Sequence, residues 1–318
     1  MTQIVPLQVL PIFNLDDTIQ LDHPILRDTL RRYRVEWKPK TRRAFLLGYL
    51  KLMGVAFILG LVVTLLSQQV EDAVAGIGSI AMMLLLASLF LGLVISSRAY
   101  DTALGAIQSE ITASRMDLVR MSSISYIQYI HAKHVGVMIR HWQLTTRIAQ
   151  CRVVMIAFIG GMLFFEWFGA DRLPLNQPSH VGMVIYALIG MSLIVLTAFG
   201  VMLEAYVRLA SASALGLGQS VRPKTDVGNY VVDQMKLIST YFAQGAVLVI
   251  GACMGISILP SIIYSALAGR APYYFEIILQ GFTMLLLIIG LMCFIHYLVY
   301  SFGMTRAKRR LVMIDFLS

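Results

Sequence analysis

The stretch SEITASRMDLVRMSSISYIQYIHAKH (residues 109–134) is polar and carries charges of both signs, yet it joins two long apolar segments. Leu104, Ile107 and Ile111 carry a helical pattern out of the apolar run before it. Glu110 and Arg115 interrupt that pattern. MDLVRM (116–121) reads as a short helical piece and SSIS (122–125) as a turn. Gln128 follows Ser125 at the three-residue spacing of a capping box, which predicts a new helix starting there. Ile127, Ile130 and His134 give that helix one face. The stretch therefore reads as two helical extensions joined by a short helix and a capped turn, an ordered lever between two spans.

The flanking sequence is membrane-like. Of the 318 residues, 58% are hydrophobic and 14% charged, with a mean hydropathy of +0.75; soluble domains carry about 25% charged residues. A helix crossing about 30 Å of hydrocarbon needs roughly 20 mainly apolar residues. Six runs meet this length, at 44–67, 73–97, 149–169, 181–206, 237–259 and 275–303. None has an internal proline, and Pro174, Pro178, Pro223, Pro260 and Pro272 all fall between runs, where a missing amide donor costs nothing. Lys51 lies early in the first run, placed to snorkel to the near surface. The expectation is an all-α integral membrane protein, with six transmembrane helices forming one domain over 44–303.

Basic residues orient it. Of 26 Lys and Arg, eight fall in 27–43 and seven in 98–152. Arg208, Arg222, Lys224 and Lys236 lie around the facing ends of the fourth and fifth runs, and Arg306, Lys308, Arg309 and Arg310 in 304–318. The three connections expected on the other side hold only Arg172 and Arg270. This alternation predicts six spans with both termini cytoplasmic. The net charge of +9 is then the cytoplasmic bias of a membrane protein, with no soluble basic domain to bind nucleic acid. Residues 304–318 are expected as a basic cytoplasmic tail. Residues 1–22 are expected as an N-terminal extension; they hold Asp16, Asp17 and Asp22 and no basic residue, so they do not read as a signal peptide. Aromatic residues in FFEWFG (164–169) and APYYF (271–275), and Tyr297, Tyr300 and Phe302, fit the two interfaces.

Residues 23–43, HPILRDTLRRYRVEWKPKTRR, precede the first run. Leu26, Leu30, Tyr33 and Trp37 recur at helical spacing, with Arg27, Arg31, Arg34 and Lys38 beside them. Pro24 suits a first turn and Pro39 an end. An amphipathic helix with a basic flank, running directly into a span, is expected to lie in the membrane interface against lipid headgroups.

Two stretches resemble the permeases of type-2 ABC exporters. That family often opens on a pattern like N-P-[VI]-L-x-x-E-L-R, and here His23-Pro24-Ile25-Leu26-Arg27-Asp28-Thr29-Leu30-Arg31 stands before the first span. After the second span the family carries a pattern like E-R-E-x-G-T-x-x-L-L-x-x-T-P-[LI]-S, ending at a lysine. Without gaps, Glu110 takes the first acidic position, Leu118 and Val119 the leucine pair, Ser122 the threonine, Ile124 and Ser125 the L-S, and Ala132-Lys133 the end. Thr112, Ser114, Arg115 and Ser123 depart from the pattern. The resemblance implies one half of an exporter in a prokaryotic plasma membrane. It would have a second permease chain, identical or not, and separate ATPase subunits docked on the cytoplasmic side. It further implies that the segment near 112–126 is a coupling helix, with Glu110, Asp117, Leu118, Ser122, Ser125 and Lys133 forming or supporting the docking surface. Glu110 and Lys133 would pair, exposed, across its base. The departures keep open an alternative, a permease-derived structural subunit of a larger membrane assembly without transport activity.

Other chemistry is sparse. There is no G-x-x-x-x-G-K-[ST], and Pro223-Lys224-Thr225 lacks the glycine loop, so ATP hydrolysis is expected only in a separate subunit. Cys151, Cys253 and Cys293 show no ligand spacing. His131, His134 and His141 are read as interface contacts rather than a metal face, and His296 lacks the partners of a haem site. No cofactor, metal or catalytic residue is expected. Glu166 and Glu204 lie near predicted span ends and are expected to be solvated. Gly251 and Gly255 form a small-residue packing pattern, and 260–274 is a candidate re-entrant segment.

Overall fold

The computed structural model describes residues 24–32, 42–67, 71–112, 121, 124–168, 180–220, 235, 238–239, 241–242 and 273–317. The described residues form six helices and no strand: α1 (Pro24–Arg32), α2 (Arg42–Ser67), α3 (Glu71–Thr112), α4 (Tyr126–Phe168), α5 (His180–Ser220) and α6 (Tyr273–Leu317). Five of them hold segments long and apolar enough to cross a membrane: Arg43–Leu66, Gly76–Ile111, Tyr126–Phe164, Gly190–Ser220 and Leu285–Met313. The protein is an all-α, multi-pass membrane protein. The run at 237–259 lies almost wholly outside the described residues, as do Gly251, Gly255, Cys253 and the segment 260–274.

The helices outrun the bilayer. At 1.5 Å per residue, the 42 residues of α3 reach about 63 Å, twice the hydrocarbon thickness. Side-chain exposure marks which half is which. Large apolar side chains face outward on α3 from Ile77 to Val94, on α2 from Leu47 to Leu66, on α5 from Leu188 to Phe199 and on α6 from Leu286 to Phe302. The α3 belt is about 27 Å long, one hydrocarbon thickness. Beyond it, buried residues take over: Ala99, Tyr100, Ala103 and Ile107 on α3, Tyr129 to Ile139 on α4, Tyr206 to Leu217 on α5, Ala307 and Leu311 on α6. The expected basic tail is therefore the last turns of α6, because its Ala307 and Leu311 pack into this second bundle.

Contacts fix the directions. Thr102 meets His141, and Ser88 meets Arg152, so α3 and α4 are antiparallel. Ser211 meets His296, and Gly218 lies against Gly303, so α5 and α6 run parallel. Small residues allow the close crossings: a methyl added to Gly218 would fall 2.7 Å from the Gly303 carbonyl oxygen. Gly60 and Gly161 do the same service between α2 and α4, where a Cβ would overlap the facing backbone. Near the belt's edge α2 is fastened by an aromatic group. The hydroxyls of Tyr49 and Tyr206 share a hydrogen bond of 2.8 Å, and Trp142 and Tyr206 rings sit 4.6 Å apart.

Candidate functional site

The stretch 109–134 splits as its pattern predicts at one end. Ser125 caps α4: the Gln128 amide donates to Ser125 Oγ at 3.2 Å, and Gln128 Oε1 accepts from the Ser125 amide at 3.2 Å. Glu110 does not interrupt α3, which continues to Thr112. Asp117, Leu118 and Ser122, with most of the expected short helix, lie outside the described residues. Met121 is in an exposed turn. Ile130 and His134 lie on the buried face of α4, whereas Ile127 is exposed.

At the hairpin's base the structure gathers a polar group. Lys133 Nζ donates to Glu110 Oε1 at 2.5 Å, and Tyr129 donates to Glu110 Oε2 at 2.5 Å. Lys133 Nζ also reaches Thr29 Oγ1 on α1 at 3.3 Å, and Thr29 donates onward to the Ile25 carbonyl at 2.7 Å. Arg32, at the end of α1, pairs with Glu110 at 3.1 Å and with Asp28 at 2.5 Å. The expected Glu110–Lys133 pair is thus present but not exposed: the two side chains are only 6% and 3% accessible. Burial follows from α1, which covers the pair. Two cations and two carboxylates balance, and both oxygens of Glu110 meet donors, as a buried ion pair requires.

Of the expected apolar stripe of α1, Leu26 faces protein, fully buried among Ala132, Val135 and Ile139 of α4. Glu110, its neighbour, lies about 24 Å further along α3 than Val94, the end of the outward apolar belt. Arg27 and Arg31 are exposed. Of Leu30 the backbone alone is described, and Tyr33, Arg34 and Trp37 lie outside the described residues.

A second polar group sits inside the belt level, and pattern reading missed it. Arg152 on α4 is completely buried, donating to Glu204 Oε2 at 2.5 Å and to the Ser88 carbonyl at 3.0 Å. Arg208 pairs with the other oxygen of Glu204 one turn away on α5. Glu204 is thus a mostly enclosed counter-ion, its side chain 13% accessible, between two guanidinium groups. The available signal was Arg152 itself, a guanidinium inside an apolar run.

The histidines diverge. His134 bonds the Ala210 carbonyl and Ser213 of α5, His141 bonds Thr102 of α3, and His296 bonds Ser211. No group of three metal-ligating side chains forms among the described residues. Tyr300, expected at an interface, is buried edge-on against His134 with centroids 5.3 Å apart. Comparison with family models, with curated proteins and with solved structures finds no match to this chain.

Proposed function

We propose that this chain is the membrane-spanning permease subunit of an ATP-driven exporter of the type-2 ABC kind. Its α3–α4 hairpin would be the element a cytoplasmic ATPase subunit pushes, and a second permease chain would complete the pathway. Supporting this reading most is the brace at the hairpin's base, where Glu110 joins Lys133, Tyr129 and Arg32. A pushed element transmits force only if its position is shared with the part it moves, and here α1, α3 and α4 share one buried carboxylate. Both termini lie in the cytoplasm of a prokaryotic plasma membrane in this reading, and ATP hydrolysis belongs to the partner.

The test is purification of the tagged chain in mild detergent, followed by identification of the chains retained. A stoichiometric ATPase supports the proposal. The Leu118→Asp variant should then release it, since interface energy concentrates in a few buried apolar anchors, while the membrane bundle still folds. An assembly retained without any ATPase would overturn the exporter reading and leave a permease-derived structural subunit.

A further inference from the structure

The two polar groups differ in one respect: the base group balances its charges and the belt group does not. Arg152, Glu204 and Arg208 have side-chain accessibilities of 0%, 13% and 15%. Among the described residues Glu204 is the single carboxylate paired with either guanidinium. Among the described residues the sum is one uncompensated positive charge at the level of Ser88 and Gly92, inside the outward apolar belt of α3. An arginine does not escape this by losing its proton, and an unpaired charge out of water is strongly disfavoured.

Unused donors mark where the missing partner belongs. Arg152 Nε, Arg208 Nε and Arg208 Nη1 are buried and have no hydrogen-bond acceptor, and Glu204 Oε1, ion-paired to Arg208, has no hydrogen-bond donor, so the unused donors outnumber the unused acceptor. They border a void of about 10 Å³ lined in part by Gly92, Ser96, Thr145, Arg152 and Arg208. Gly92 keeps the space: a Cβ there would overlap Arg152 Nη2 and stand 3.7 Å from Arg208 Nη1. The Tyr241 ring lies 5.5 Å from the Arg208 guanidinium carbon, adding a further electron-rich face but no charge. The nearby imidazole of His296 is engaged with Ser211. The void is about the size of one water, so a larger ion enters only as the Arg208 side chain, 15% accessible, gives way. A water would satisfy the donors but not the charge.

We propose that Arg152 and Arg208 form a buried anion site, which takes one negatively charged acceptor atom into this void. Two sources share that chemistry: a free halide, or the terminal oxygen of an anionic headgroup reaching in from the bilayer. The site does not depend on the exporter reading. It is tested on the full-length chain in neutral detergent, by thermal unfolding in sodium gluconate against sodium bromide at equal ionic strength. A parallel arm adds phosphatidylglycerol to the gluconate buffer. A ligand that binds only the folded state raises the midpoint, so a rise of several degrees is expected in one arm. Bromide alone identifies a halide site, and phosphatidylglycerol alone a headgroup site. Arg208→Gln should abolish the rise. Glu204→Gln, which leaves both guanidinium charges unanswered, should be less stable in gluconate and show a larger rise, so the test survives if Arg208→Gln fails to fold. Crystals grown in bromide should show its anomalous signal beside Arg208 Nη1. No rise in either arm, or an equal rise in Arg208→Gln, overturns the proposal, as does a neutral water in that position in bromide crystals.

Discussion

Glu110 concentrates much of what distinguishes this bundle's polar end. Its carboxylate accepts from Lys133 and Tyr129 while Arg32 approaches from α1. An exposed pair would contribute about 0–1 kcal/mol; removing one partner of a buried pair costs about 3–5 kcal/mol. Glu110→Gln, which leaves Lys133 buried beside a neutral amide, is therefore expected to lower stability by about 3 kcal/mol. Lys133→Met should cost a similar amount. The double variant Glu110→Gln/Lys133→Met should recover most of the loss, because it leaves no orphaned charge. Denaturant unfolding of the four proteins in detergent measures this cycle, and a loss below 1 kcal/mol in both single variants would show that the pair is solvated. The pairing was legible in the sequence, from two residues placed at facing ends of a polar stretch. Its burial was not, because it depends on Thr29 and Arg32, which lie about a hundred residues away from Lys133 in the chain.

Helix α1 is held by shape as well as charge. A Cβ at Gly136 of α4 would fall 2.5 Å from Thr29 Cγ2, and Thr29 cannot turn away without giving up its bonds to Ile25 and Lys133. Two effects oppose each other in Gly136→Ala. Alanine is favoured over glycine in a helix by about 1 kcal/mol, while overpacking costs typically 1–3 kcal/mol. The clash should win, so Gly136→Ala is expected to destabilise α1 docking. In a Thr29→Ser background, which deletes the obstructing methyl and keeps the hydroxyl, the same change should become neutral or stabilising. Hydrogen exchange of the α1 amides, read against those of α4, separates this local effect from general unfolding. The helix starts were legible at this scale: α2 begins within two residues of its expected position, and Ser125 caps α4 by the pattern that predicts it. The helix ends were not. Hydropathy stops at the membrane's edge, whereas α5 and α6 continue for many residues, because Ala210, Ser213 and Ala307 find protein to pack against; the extension of α3 and the start of α4 were read from their own patterns. A sequence of mixed small, aromatic and charged residues does not announce that partner. The contact of Leu26 with α4 was not legible for the same reason: an apolar stripe fits lipid and protein equally well.

Direction decides the architecture of the whole molecule. Along α5 and α6, Gly200 faces Ile289, Ser211 faces His296, Gly218 faces Gly303, and the Gly218 carbonyl accepts from Arg310. The numbers rise together, so the two helices run the same way and both end at the polar end that holds Glu110. Two neighbours that run parallel are joined most simply by a return crossing, and the sequence offers the apolar run 237–259, which has the length of a span; six crossings would place both described ends of the bundle, α1 and the end of α6, on one side. Five crossings would instead put Arg306, Lys308, Arg309 and Arg310 opposite the eight basic residues of 27–43, against the bias of lysine and arginine toward the cytoplasm. The expected outcome is specific. In a variant without Cys151, Cys253 and Cys293, single cysteines at Arg172 and Arg270 should react with a membrane-impermeant maleimide added outside intact cells. Cysteines at Lys224 and Lys308 should react only after permeabilisation. Labelling of position 308 from outside, with position 172 also labelled, would mean an odd number of crossings. The run at 237–259 would then have to stay on one side, and the parallel packing of α5 and α6 would need a different connection.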